Sequence, residues 1–321
     1  MRFARRSRGI SANQTLLALL LVSLCVSRTS AQESSYHLVP TGKGWGEAVA
    51  HAPLALATSG NRISWHGGPV MHGNVHVYFI WYGNWLNGAH PSDSDYTTYL
   101  LKTLFAATDG IGNSSYARIN TTYGDTTGPV TANMAWTRSA ADKYSQGTAL
   151  SDAAVRTVVY NAINSRKLPK DENGIYFVLT SSDVAETSGF CTSYCGWHTS
   201  DIILGADIKY AFVGNPDRCP DACEAQDISP NHNSGADGMA SIMAHEAEEI
   251  LTDPDLNAWY DSLGNENADK CAWTFGPTVG QIGRGAYNQI FGTHRWLIQM
   301  NWENTRGGGC AQRLSGAFYT R

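Results

Sequence analysis

The chain has 321 residues, of which 42% are hydrophobic and only 16% are charged, and its formal net charge is −5. Soluble proteins carry about 25% charged residues, and so low a share, together with ten tryptophans, excludes a disordered chain. Lys and Arg cluster only at the extreme N-terminus, so no nucleic-acid partner is expected. The length suits a single domain of roughly 250 residues.

Residues 1–31 are predicted to be a secretory signal peptide. Four arginines within the first eight residues precede an apolar run at 16–26, and residues 29–31 form a small-residue cleavage site. The apolar run is shorter than the roughly 20 residues that a membrane-spanning helix needs, so we expect cleavage and no membrane span in the mature chain. This segment holds five of the 23 basic residues and none of the 28 acidic ones, which leaves a mature net charge of −10. We therefore expect an acidic, secreted protein.

The elements that follow alternate between strands and helices. Residues 32–62 lack periodicity and are predicted to be a mobile leader, and the folded domain is predicted to span 63–321. Strands are predicted at 74–81, 175–180, 201–213 and 295–302, and helices at 94–107 and 152–165. A further helix, capped by Asp237, ends before Pro254. This order predicts one α/β or α+β domain, with a central mixed sheet, flanking helices and disulfide bonds.

The cysteines support secretion. Cys25 leaves with the signal peptide, and an even number remains: Cys191, Cys195, Cys219, Cys223, Cys271 and Cys310. In an oxidising compartment this predicts three disulfides. The two C-x₃-C spacings favour local bridges, which leaves Cys271 with Cys310, although other connectivities and a four-cysteine zinc site remain open. Asn113 and Asn120 each begin a glycosylation motif in one polar loop.

The segment with the clearest chemistry is His245-Glu246-Ala247-Glu248-Glu249. Residues four apart lie on one face of a helix, so His245 and Glu249 are placed to bind one metal ion. Zinc accepts imidazole and carboxylate ligands at similar distances. A third ligand has to come from beyond the helix, and the segment from Asn265 to Asp269 is the candidate, with Glu266 seventeen residues after Glu249.

This layout resembles that of the zincins of the gluzincin type, in which a downstream N-E-x-x-x-D segment supplies the third ligand. It departs from them because Glu249 replaces a second histidine and because Glu266 and Asp269 are three rather than four apart. The resemblance implies that His245, Glu249 and Glu266 hold zinc and that Glu246 is the general base. It also implies that Asp269 orients His245 from outside the ligand set. Metal-bound water would then attack an amide or ester carbonyl.

Two alternatives compete with zinc at this segment. An amphipathic helix would present His245, Glu248 and Glu249 to solvent without any metal. A loose calcium site is the other alternative, because Asp253, Asp255 and Asn257 match the opening of an EF-hand loop, although Ala258 stands where that loop needs glycine. His198 could be a ligand or a base, but a lone histidine next to Trp197 is interpreted as a packed surface residue.

Several segments together resemble the EXORDIUM / phosphate-induced protein family of secreted proteins. They lie in order along the chain, at 76–83, 178–184, 189–198, 213–223, 237–239, 252–254 and 296–310. The resemblance implies an extracellular, wall-associated protein that is tied to growth and cell expansion, without an assigned reaction. Two functions are expected as alternatives. One is a zinc-dependent hydrolase with a peptide substrate. The other is a non-enzymatic protein of the cell wall that takes part in growth and cell expansion or binds polysaccharide through exposed aromatic residues.

Overall fold

The computed structural model describes residues 41–43 and 62–314, except for residues 87, 89, 282 and 306. The predicted signal peptide, at 1–31, and most of the predicted leader, at 32–62, lie outside the described residues. So do residues 315–321.

A five-stranded mixed sheet forms the centre of the domain. Its strands are β1 (Val75–Tyr82), β2 (Met134–Asp142), β3 (Gly174–Thr180), β4 (Gly196–Ile203) and β5 (Ala206–Gly214). They lie in the order β2-β1-β3-β5-β4, and all are parallel to their neighbours except β4, which runs antiparallel to β5 at one edge. Every residue of β3 is buried, as expected for a parallel strand covered on both faces. The predicted fold class is confirmed.

Three helices of ten or more residues accompany the sheet. Helix α1 (Asp95–Leu104) is capped by Ser94, and α2 (Asp152–Asn164) is capped by Ser151. Helix α3 (Ser234–Thr252) is the longest, and all but its first residue are buried. Its cap is Asn233, whose side chain accepts a hydrogen bond from the Ala236 amide. The predicted cap, Asp237, lies instead in the first turn of the helix.

Short elements complete the described part of the chain. The two-stranded pairs are Ser64–Trp65 with Trp259–Tyr260, Gly124–Asp125 with Gly128–Pro129, Ala149–Leu150 with Ala185–Glu186, Val279–Gln281 with Gly285–Tyr287, Gln289–Phe291 with His294–Trp296, and Asn301–Glu303 with Gly309–Ala311. The short helical turns are Ala117–Thr122, Pro216–Arg218, Pro220–Cys223 and Asp269–Cys271.

The single strand predicted at 201–213 is wrong. The chain makes a hairpin there, because Leu204 and Gly205 both adopt positive φ angles, of 52° and 78°, and turn β4 back as β5. Strand β4 therefore begins at Gly196, five residues before the prediction. The strand predicted at 295–302 is likewise divided between two separate hairpins. The first error matters for the site described below, because β4 contributes to it.

The structure contains three disulfides among its described residues: Cys191–Cys219, Cys195–Cys223 and Cys271–Cys310. The predicted bridge between Cys271 and Cys310 is confirmed. The predicted local bridges are wrong, because both cysteines of each C-x₃-C pair face the other pair. The two turns that carry them are cross-linked side by side, with Cα–Cα distances of 5.7 and 5.6 Å.

Candidate metal centre

The candidate site lies where helix α3 packs against the edge strand β4. Close packing depends on Gly196, since a Cβ added there would lie 2.6 Å from Ile242 Cγ2, 2.9 Å from the Phe212 carbonyl oxygen and 3.0 Å from Glu246 Oε1. Larger residues at this position would push the carboxylate of Glu246 away from the strand. The absence of a side chain at Gly196 thus sets the distance between helix and strand.

His198 enters the site because side chains alternate along β4. Trp197 lies on one face, where its ring packs against Tyr210 and Phe212, and His198 lies on the other face, towards α3. Its Nδ1 is 3.1 Å from Glu246 Oε2 and 3.4 Å from Glu249 Oε2. The interpretation of His198 as a surface residue is wrong, since its side chain is 0% exposed.

His245 and Glu249 meet on one face of α3, as the four-residue spacing predicts. His245 Nε2 is 3.0 Å from Glu249 Oε1 and 3.5 Å from Asp269 Oδ1. The backbone amide of Asp269 donates to Glu249 Oε1 at 3.0 Å. Helix α3 and the 266–269 segment therefore converge on one carboxylate.

Glu266 approaches the same cluster from the other side of His198. Its Oε1 is 3.6 Å from His198 Nε2, too long for a hydrogen bond, and neither atom has a hydrogen-bond partner among the described residues. Two groups of donor atoms lie within 4.8 Å of one another: His198, Glu246 and Glu249, and His245, Glu249 and Asp269. Among the described residues, Asp269 rather than Glu266 is therefore grouped with His245 and Glu249.

Three asparagines hold the 266–269 segment against α3. The side-chain amides of Asn120 and Asn267 both donate to the carbonyl oxygen of Glu248, at 2.9 and 3.1 Å. Asn120 Oδ1 in turn accepts from Asn267 and Asn301. Asn120 is fully buried, so a glycan on its amide is incompatible with this arrangement. Asn113 is exposed, and its glycosylation stays a prediction.

The helix face that carries these acids is buried. His245, Glu246, Glu248 and Glu249 are each at most 1% exposed, so the alternative of a solvated polar face is wrong. Glu248 lies outside the cluster, and burial raises its pKa well above the usual range despite a hydrogen bond from Asn301. Burial thus favours the neutral form of this carboxyl group.

The cluster itself concentrates negative charge. Burial raises the pKa of Glu266 and of Asp269, and the charge of Glu249 raises both further. Burial acts in the same direction on Glu249, but the neighbouring His245 and His198 outweigh it and lower its pKa to about 2. Lys270, which follows Asp269, directs its ammonium to Asp261 at 3.0 Å. Two imidazoles thus face the carboxylates of Glu246, Glu249, Glu266 and Asp269.

The position predicted for calcium is a turn. One oxygen of Asp253 accepts from the amides of Asn257 and Ala258, both at 2.6 Å, and so closes the chain behind α3. Burial and the neighbouring charge of Asp207 raise the pKa of Asp255. Calcium stays the less favoured prediction.

Comparison with known proteins identifies the family. Residues 63–303 match the family model described as the phosphate-induced protein 1 conserved region. The chain belongs to the phosphate-induced protein 1 family. This confirms the resemblance inferred from the sequence segments.

Relatives of the phosphate-induced protein 1 family match most of the chain. It is 30% identical to Protein EXORDIUM-like 3 of Arabidopsis thaliana, over 89% of this chain and 94% of that protein. It is 30% identical to Protein EXORDIUM-like 5 of the same plant, over 75% of each chain. Protein PHOSPHATE-INDUCED 1 of Nicotiana tabacum is 26% identical over 70% of this chain and 74% of its own length. No solved structure matches.

Two further findings concern the compartment. Three disulfides fit a protein that folds under oxidising conditions, as a secreted phosphate-induced protein would. Among the described residues, no helix combines the length and apolar character needed to cross a membrane.

Proposed function

We propose that this member of the phosphate-induced protein 1 family binds a divalent cation, with zinc as the leading candidate, at the cluster between α3 and β4. The observation that carries the proposal is the burial of two histidines and four carboxylates in one place. Isolated buried carboxylates are costly, and their mutual repulsion adds to that cost. The four carboxyl groups outnumber the two imidazoles, and a bound divalent cation would favour the ionised form of carboxyl groups whose pKa is raised by burial.

The donor atoms fit such an ion. Zinc lies 2.0–2.2 Å from nitrogen and oxygen ligands, so the ligands of a tetrahedral site are about 3.4 Å apart. The His245–Glu249 and His245–Asp269 distances of 3.0 and 3.5 Å bracket that value. His245 and Glu249 would thus be ligands, with the third ligand supplied by Glu266 or Asp269. Imidazole and carboxylate are also donors that other divalent transition metals accept.

We further propose that the bound ion serves hydrolysis of an amide or ester bond. A zinc ion supplies a Lewis acid that polarises a carbonyl group. Glu246 follows His245 on the helix, and its Oε2 lies 3.1 Å from His198 Nδ1, beside the proposed ligands. Its carboxylate is placed to accept a proton there, and His198 would orient it. Secretion into the cell wall, with a peptide as substrate, is part of this proposal.

The metal content of the purified mature protein tests the site. We expect close to one equivalent of zinc by mass spectrometry in the wild type and a loss of at least tenfold in His245→Asn, because one of few ligands is removed. His76→Asn is the matched control, since its side chain is 47% exposed and lies outside the cluster. Comparison of Glu266→Gln with Asp269→Asn shows which of the two is the third ligand. Negligible metal in the wild type and in all variants would overturn the proposal.

A second function is favoured by two exposed tyrosines. Tyr96 and Tyr99 on α1 are 44% and 53% exposed, and their rings are stacked with centroids 6.4 Å apart. Aromatic faces of this kind stack on sugar rings, which favours binding of wall polysaccharide without catalysis. We expect retention on insoluble wall glycan to fall at least fivefold in Tyr99→Ala and to be unchanged in His245→Asn. Equal retention of Tyr99→Ala and the wild type would exclude this surface.

A further inference from the structure

The candidate metal centre is closed to solvent. The six cluster side chains of His198, His245, Glu246, Glu249, Glu266 and Asp269 are between 0% and 4% exposed. A hydrolytic site needs access for its substrate, so part of the surrounding chain must move if the proposed function holds. At the outer edge of β4, His198 forms a backbone hydrogen bond with Gly42, which belongs to the predicted leader.

Residues 41–43 of the leader lie along the free edge of β4. This strand pairs with β5 on one side, where His198 is opposite Ala211. On the other side, the His198 amide donates to the carbonyl oxygen of Gly42 at 2.9 Å. Residues 41–43 thus pair with β4 at a sheet edge that would otherwise be free beside the cluster.

Glycine is required at position 42 for this contact. Gly42 has a φ angle of 69°, and a Cβ added there would lie 1.6 Å from the carbonyl oxygen of His198. Both its conformation and its closeness to the strand exclude a side chain. A larger residue would therefore lift the leader from β4.

Lys43 anchors the same segment. Its Nζ is 2.7 Å from Asp152 Oδ2 and 2.7 Å from Ser188 Oγ. The ammonium also lies over the rings of Tyr194 and Trp197, at 5.2 and 5.4 Å from their centroids. The ion pair is partly exposed, which makes it a weak and reversible anchor.

The segment is separate from the conserved domain. The family match begins at residue 63, twenty residues after Lys43. The five-stranded sheet takes all its strands from within the matched region. Residues 41–43 therefore add a contact at the edge of a sheet that is already complete.

We propose that residues 41–43 form a blocking segment, which covers the edge of β4 beside the cluster and holds the site closed. An extended peptide commonly binds by adding a strand to a free sheet edge. The blocking segment occupies such an edge, so a peptide substrate would compete with it for the His198 backbone. Displacement of the leader, or its cleavage between residues 43 and 63, opens the site. This inference rests on the proposed function.

Chemical labelling of the histidines tests the blocking segment. In metal-stripped full-length mature protein, diethyl pyrocarbonate should label His198 and His245 slowly, as located by mass spectrometry. We expect Gly42→Val and Lys43→Glu to accelerate that labelling by about five- to tenfold, since each removes a contact that holds the leader. Reversal of both charges, in Lys43→Glu with Asp152→Lys, should restore protection.

Two controls make the result specific. His72 and His76 have side chains 38% and 47% exposed, so their labelling should be equal in all variants. Lys167→Ala removes an exposed lysine whose described hydrogen bond is with the Ala141 carbonyl oxygen. In this variant His198 and His245 should be labelled at the wild-type rate. Equal labelling of His198 and His245 in every variant would overturn the blocking segment. Metal content measured on the same proteins before the metal is stripped tests the proposed site separately, so failure of either idea is recognised by itself.

Discussion

Removal of the proposed metal ion with a strong chelator is expected to lower the melting temperature of the wild-type protein by about 10 °C. A ligand present at about 1,000 times its dissociation constant stabilises the folded state by about 4 kcal/mol. In a domain of this size each kcal/mol corresponds to roughly 2–4 °C. Chelation also leaves the carboxylates of Glu249, Glu266 and Asp269 in a buried cluster without the neutralising ion.

Calorimetry with and without chelator measures this effect. Addition of excess zinc should restore the original melting temperature. His245→Asn is expected to melt at one temperature under both conditions, because it has already lost the site, whereas His76→Asn should respond as the wild type does. A melting temperature of the wild type that is independent of chelator and of added zinc would contradict a structural contribution from the metal.

Removal of disulfide bonds by substitution of the paired cysteines is expected to cause a large loss of stability. Replacement of Cys191 and Cys219 by alanine removes one disulfide and leaves Cys195–Cys223 intact. Replacement of Cys191 and Cys195 breaks both bridges and leaves Cys219 and Cys223 without their partners. Loss of a native disulfide costs about 2–5 kcal/mol. The second variant should therefore be the less stable by at least one such increment.

Thermal unfolding and peptide mapping under non-reducing conditions distinguish the two variants. Local bridges within each C-x₃-C pair would produce the opposite order, since Cys191→Ala with Cys195→Ala would then remove one bridge and Cys191→Ala with Cys219→Ala would remove two. A variant that lacks Cys271 and Cys310 serves as the reference, because both connectivities agree on that pair.

The central elements were predictable because their signals are local. The buried strands β1 and β3 are continuous apolar runs, and α1 and α2 follow a serine cap and a helical spacing of apolar residues. The hairpin between β4 and β5 escaped prediction because Leu204 takes a left-handed conformation that glycine or asparagine usually supplies. Two of the three disulfides were mispaired because spacing along the chain does not reveal which turns lie side by side.

The candidate site was predictable only in its helical part. The spacing of His245 and Glu249 brings them together through helix geometry alone. The place of His198 in the site was not predicted, because β4 was predicted to start after it. The alternation of side chains along the strand therefore could not show that Trp197 and His198 face opposite sides. The burial of the acids depends on Gly196 and on the asparagine contacts to Glu248, which are contacts between distant parts of the chain.

The buried amide of Asn120 can either carry a sugar or form the contacts seen in the folded protein. Its Asn-Thr-Thr motif offers an acceptor for oligosaccharide transfer while the chain is still unfolded. In the folded protein the same amide bonds with the Glu248 carbonyl and holds the segment that carries Glu266 and Asp269. A sugar attached there would prevent that contact. A sugar on this side chain and its contacts in the folded protein are thus mutually exclusive.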